Sequence, residues 1–129
     1  VRSGDIVLVR TGRMRLYHES GGMAYCLGPG QDGSNAGLSL STVPWFHERD
    51  VAAVANDTLT FEVYPSEEVN LAVHMLHVVD MGLTQGQNWD LEALAEDCAA
   101  DGVYEFFLAA TPEPFVGCVG SPVAPVAIK

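Results

Sequence analysis

Apolar positions in this chain fall in short runs and stripes separated by glycine-rich breaks, and their spacing predicts the elements. "DIVLVR", residues 5–10, is an unbroken apolar run opened by Gly4-Asp5 and closed by Thr11-Gly12, the pattern of a buried strand. "VAAVAND", residues 51–57, is a second such run, suited to a strand covered on both faces. Asp57, just past its end, either caps the following turn or faces a cleft. "STVPWFHER", residues 41–49, predicts a short helix capped by Ser41, with Pro44 tolerated in the first turn and His47 exposed. A longer helix is predicted to begin between Ser66 and Asn70 and to stop at Gly82. Leu71, Met75 and Val78 follow i, i+4, i+7 and form its expected core stripe, with His74, His77 and Met81 on the neighbouring face. Asp90 is placed to cap a third helix whose Leu91, Leu94, Ala95 and Cys98 turn inward before Asp101-Gly102. "VYEFFLAAT", residues 103–111, predicts a third strand, and the prolines of "PVAPVAIK" limit residues 122–129 to an edge or irregular strand.

Residues 12–38 break this pattern. Gly12, Gly21, Gly22, Gly28, Gly30, Gly33 and Gly37 leave little periodicity, so the segment reads as a long loop. Loops of that length carry function or remain mobile. Tyr17, His18, Met23 and Tyr25 are therefore candidates for a substrate lid, the alternative being a surface loop without contacts. The expected fold is mixed α/β, a compact sheet or barrel-like core flanked by helices, and the length of the chain suits a single domain.

Composition narrows the function classes. A net charge of −11 with six Lys plus Arg provides no basic face for nucleic acid or for an anionic membrane. Cys26, Cys98 and Cys118 are an odd set without a CxxC, which suits a reducing, cytoplasmic setting better than a disulfide framework. No apolar run approaches the ~18 residues of a membrane span. The chain opens without Met and almost directly in a strand, so a preceding segment is expected.

Candidate chemistry centres on "VHMLHVVDMGLTQGQNWDLEAL", residues 73–94. Residues three apart on a helix are neighbours, so His74 and His77 can share a ligand, or they can be packed or solvated. The HExxH arrangement, which adds a base between metal ligands, is missing, as is a GxSxG elbow. "GPGQDG" lacks the ending of a phosphate loop, and "VGCVGSPVAP" is a turn-rich segment of small residues. Trp45, Tyr25 and Phe61 can stack on an aromatic substrate or serve as core.

Four segments together, "GDIVLVRTG", "GLSLSTVPWFHERDVAAVANDT", "VHMLHVVDMGLTQGQNWDLEALAEDC" and "FFLAATPEPFVGCVGSPVAPVAIK", resemble the C-terminal half of the cyclase family of metal-dependent hydrolases, which includes kynurenine formamidase and isatin hydrolase. The resemblance implies a divalent metal, manganese or zinc, acting on small amide or cyclic amide substrates, and association as a homodimer or larger. The family's HxGTHxDxP stretch, which supplies most metal ligands, does not occur in this chain. Those ligands are expected in a missing N-terminal segment, which is also expected to add strands beside residues 5–10 and 51–55. Two family positions fall within the chain. The helix histidine matches His74, a ligand or proton-transfer group. The family's Glu before the next helix is Gln87 here, a neutral metal donor in place of a carboxylate. His77 matches an apolar family position and reads as packing. The competing reading is a non-catalytic ligand-binding or scaffold domain that keeps the fold without the metal motif.

Overall fold

The computed structural model describes residues 1–129, which divide into two compact units, Val1–Glu92 and Ala93–Lys129. The first unit is built on three parallel strands, β1 (Ile6–Val9), β2 (Ala53–Asn56) and β3 (Thr84–Gly86), in the order β1-β2-β3. Val7 lies opposite Val54, and Val54 opposite Gln85. The class is mixed α/β, as expected, but the sheet is open and the barrel-like alternative is corrected. β2 is the central strand, which explains its all-apolar character: Val54 and Ala55 are buried. Because β2 is bonded on both sides, the expectation that residues 51–55 await a further strand is overturned. β1 is an edge strand, with Ile6 48% exposed, and is not the fully buried strand that its run suggested.

The predicted loop at 12–38 contains a helix, α1 (Arg13–Leu27), broken into two pieces where Gly21 takes φ 81. Its start is fixed from outside. The buried Asp57 carboxylate accepts hydrogen bonds from the backbone N–H groups of Thr11, Gly12 and Arg13 at 2.8–2.9 Å. These are the donors that a helix start leaves unpaired, so a side chain 44 residues away does the capping. Contrary to one of its two sequence readings, Asp57 does not cap the turn that follows it: that turn is held by Asn56, whose Oδ1 accepts from Thr58. A 3₁₀ turn, Leu40–Thr42, then leads into α2 (Val43–Glu48), with Pro44 in its first turn. Ser41 does not cap this helix. Its hydroxyl pairs with that of Ser39, while the Leu40 N–H donates to the Glu67 carboxylate.

α3 (Ala72–His74) continues as a π-helical segment, Met75–Asp80, in which the Met81 N–H reaches back to the Leu76 carbonyl. The expected stripe of Leu71, Met75 and Val78 is corrected: these residues are 39%, 55% and 52% exposed. Val73 and His77 face inward instead. The segment is apolar on two adjoining faces, so spacing alone does not choose between them, and the wider π turn shifts the register further. Val73 joins Leu38, Phe46, Val51, Val54, Phe61 and Leu83 in the core.

α4 (Glu92–Asp101) begins at the unit boundary, and the Asp90 carboxylate accepts the Glu92 N–H as predicted for a cap. In the second unit the strand expected over 103–111 shortens to β4 (Phe107–Ala109), paired antiparallel with β5 (Val126–Ile128). Lys129 binds Asp97 and Asp101 there. No helix is long and apolar enough to cross a membrane.

Candidate active site

The residues singled out at 74 and 87 meet. β3 sends Gln85, and just past its end Gln87, to the same side, because strand side chains alternate. On the helix, His74 and His77 lie three apart and share a face. The two spacings interlock: Gln85 Nε2 lies 3.2 Å from His77 Nδ1, and Gln87 Nε2 lies 2.9 Å from His74 Nε2. The His74–Gln87 contact is direct, with no room for an ion or water between them.

The two pairs differ in depth. His77 is fully buried, with ring edges against Phe46 and Phe61, and its Nε2 has no hydrogen-bond partner. Burial holds its imidazole below the ordinary histidine range. The nearby His74 adds to this, and Glu62 opposes it. His74 is half-buried, with 23% of its side chain exposed. Its Nδ1 lies 2.9 Å from Oε2 of Glu62, and the same oxygen accepts the His74 backbone N–H at 2.9 Å. An ionised carboxylate can only accept, so Nδ1 carries the proton. In the neutral ring Nε2 then presents its lone pair, and the Gln87 amide donates to it.

Glu62 is 2% exposed, its hydrogen-bond partner is His74, and the Ser66 hydroxyl reaches its other oxygen at 3.4 Å. Sequence reasoning missed it. It lies in "TFEVYPSEE", which reads as an acidic surface stretch, and nothing local marks one carboxylate as buried. Its place depends on distant pairing. The Leu38 N–H donates to the Phe61 carbonyl, the Val63 N–H to the Leu38 carbonyl, and Asn35 and Tyr64 exchange two bonds. Gly37 lies so close that a side chain there would overlap the Glu62 backbone.

The remaining candidates differ in how close they come to this contact. Phe61 is fully buried, touching both histidines by ring edges. Trp45 is 37% exposed, with the Arg49 guanidinium 4.4 Å over its ring. Tyr25 is buried on α1, and its hydroxyl contacts Asn88 Oδ1 and, at 3.2 Å, the Asp57 carbonyl. Burial, with the Asp57 charge, pushes its phenol up to about 12. Tyr25 thereby grips the residue next to Gln87, and Asn88 holds a left-handed φ of 60 there. Of the proposed lid residues, Tyr17 and Met23 are exposed, and His18 pairs with Asp90 at 2.7 Å. No three His, Cys, Asp or Glu side chains of the chain come together as a metal centre. His74 Nε2 and the Gln87 carbonyl oxygen are two donors, fewer than the three protein ligands that a catalytic ion ordinarily takes.

Residues 1–63 match the family model "Putative cyclase". No curated protein matches the chain. A crystal structure of a novel cyclase is similar over 100% of this chain, at 39% identity and a TM-score of 0.82. The chain spans 41% of the length of that structure. The mixed α/β fold matches that of this cyclase over the whole of the present chain.

Proposed function

We propose that the chain is the C-terminal portion of a cyclase-family hydrolase of small amides or cyclic amides, the class of aryl formamides and isatin-like lactams, with His74 Nε2 as the proton acceptor. The observation that carries this reading is the half-buried His74 ring, with Nδ1 2.9 Å from the buried Glu62 carboxylate and Nε2 2.9 Å from the Gln87 amide. The site lies beyond the carboxyl end of β3, and open parallel sheets bind ligands at that end.

Amide hydrolysis adds a water oxygen to the carbonyl carbon, removes a proton from that water and delivers one to the nitrogen as the C–N bond breaks. Nε2 can take the first proton and return it to the leaving nitrogen, so one imidazole closes the proton balance. The Gln87 amide must turn away from Nε2 for a water to reach it. Its carbonyl oxygen is then free to accept from that water.

The residues of this chain do not compose a metal site alone, and the proton transfer rests on His74. A divalent ion, when bound, would acidify water and polarise the amide carbonyl. In this reading its main ligands belong to a segment outside the chain. Gln87 would add a neutral oxygen, a weaker donor than a carboxylate.

The test is turnover of an aryl formamide by the complete protein carrying His74→Ala, beside His77→Ala. Loss of the proton acceptor is expected to lower the kcat of the folded protein by about 10²–10⁴-fold, and Tm is expected to fall as well because buried Glu62 loses its partner. Unchanged kcat in His74→Ala would remove this histidine from the reaction, and no turnover by the unaltered protein would leave the ligand-binding scaffold as the better reading.

A further inference from the structure

We infer that Glu62 is the positioning residue of the site, fixing both the ring orientation and the tautomer of His74. The inference deepens the reading of His74 as proton acceptor and rests on it for its functional meaning.

Three observations carry it. First, Glu62 is 2% exposed and its carboxylate is hydrogen-bonded to the His74 imidazole. Burying a carboxylate is costly unless it is paired and hydrogen-bonded, so the group is held by the fold for a contact that repays desolvation. Second, one oxygen, Oε2, accepts from two points of the same residue, the backbone N–H and Nδ1 of His74, each at 2.9 Å. A two-point grip fixes the side-chain torsion as well as the proton position, which a single hydrogen bond would not. Third, the opposite nitrogen, Nε2, is the one turned toward Gln87 at 2.9 Å on the part-exposed side. Placing the proton on Nδ1 is what leaves Nε2 free to accept. A histidine that works through one ring nitrogen generally donates the other N–H to a carboxylate or carbonyl, and this partner sets which nitrogen is reactive.

The neighbouring histidine provides an internal contrast. His77 has the Gln85 side-chain amide 3.2 Å from its Nδ1, and its Nε2 is buried without a partner. The two histidines therefore differ in what meets Nδ1, and the one facing Glu62 turns its Nε2 to the accessible side.

The experiment combines ¹⁵N spectra of the imidazoles with kinetics on the protein and its Glu62→Gln variant. In the wild type near neutral pH, His74 is expected to show a protonated Nδ1 and an unprotonated Nε2. A proton on Nε2 in the wild type overturns the inference whatever the variant does. In Glu62→Gln, whose amide can donate as well as accept, His74 is expected to populate both tautomers while the His77 resonances stay in place. With an aryl formamide as probe, kcat is expected to fall about 10–100-fold with KM nearly unchanged. Retention of a single Nδ1–H tautomer and of full kcat in a folded Glu62→Gln variant would also overturn it. Should His74→Ala leave turnover unaltered, the reading of His74 as proton acceptor fails, and the tautomer spectra still decide the role of Glu62.

Discussion

His74 and His77 lie one helical turn apart and have opposite surroundings because a strand with a two-residue repeat runs against the helix. Gln85 takes the inner histidine and Gln87 the outer one. The spacing of "QGQ" against "HMLH" was legible in the sequence, but β3 is three residues long and too short to announce itself by alternation. Burial makes His77 a source of acid sensitivity. Its folded-state proton affinity is lowered from the ordinary 6.5, so below that pH the unfolded chain takes up a proton that the folded chain resists. Stability is retained above about 6.5 and falls as the pH drops below it. His77→Phe should flatten the difference between urea unfolding at about pH 7.5 and about pH 5; an equal acid loss in both proteins would assign that loss to other groups. Tyr25 acts at the other end of the scale. Unfolded, its phenol ionises near 10.0; folded, it holds its proton to about 12. Between these values the unfolded state binds fewer protons, so stability declines as pH rises, by about 2–3 kcal/mol in all. Tyr25→Phe removes this contribution, and unfolding curves across that window should show a shallower decline than the wild type.

Among the elements, the strands at 5–10 and 51–57, the helix stop at Gly82 and the Asp90 cap followed from local signals. α1 did not, because what starts it is not local. Its N-terminal donors are satisfied by Asp57 at the end of β2, and its interior contains Gly21 and Gly22, which erase periodicity. With α1 hidden, the alternation of strands and helices that marks a parallel sheet was hidden too. The segment carrying Glu62 is a second case. It is held by the backbone of 35–38, and the contact requires a glycine. Gly37→Ala places a methyl group against the carbonyls of Phe61 and Glu62. The two segments must part, at about 1–3 kcal/mol. Denaturant titration should register that loss, accompanied by weakening of the Glu62–His74 pair in the imidazole spectra. A loss near zero would mean that the segment shifts freely and that Glu62 is held by something other than this pairing.

At the scale of the whole molecule, the bulk numbers gave an acidic chain without a basic face, and the combination of four segments pointed to the cyclase fold. Neither could rank the stability of one part against another, because that depends on which strand ends up central. β2 is bonded on both sides and carries Val54 at 0% and Ala55 at 2% exposure. The β4–β5 ribbon has two strands of three residues, with Phe107, Val126 and Ile128 at 66%, 51% and 57% exposure. A two-stranded ribbon is marginal in water without a covered apolar face, and amides in elements with few buried contacts exchange through low-energy local opening. Native-state hydrogen exchange on the 129-residue chain should therefore separate the two. Amides of residues 54–56 should exchange only through global unfolding, with a dependence on denaturant as steep as that of the whole protein. Amides of 107–109 and 126–128 should exchange faster and with little denaturant dependence. The outward edge of β1 should fall between, since Val7 and Val9 pack on the core while one side of the strand has no neighbour. Protection of the ribbon equal to that of β2 would show that its apolar residues are covered in solution, and concentration dependence of that protection would identify a second copy of the chain as the cover.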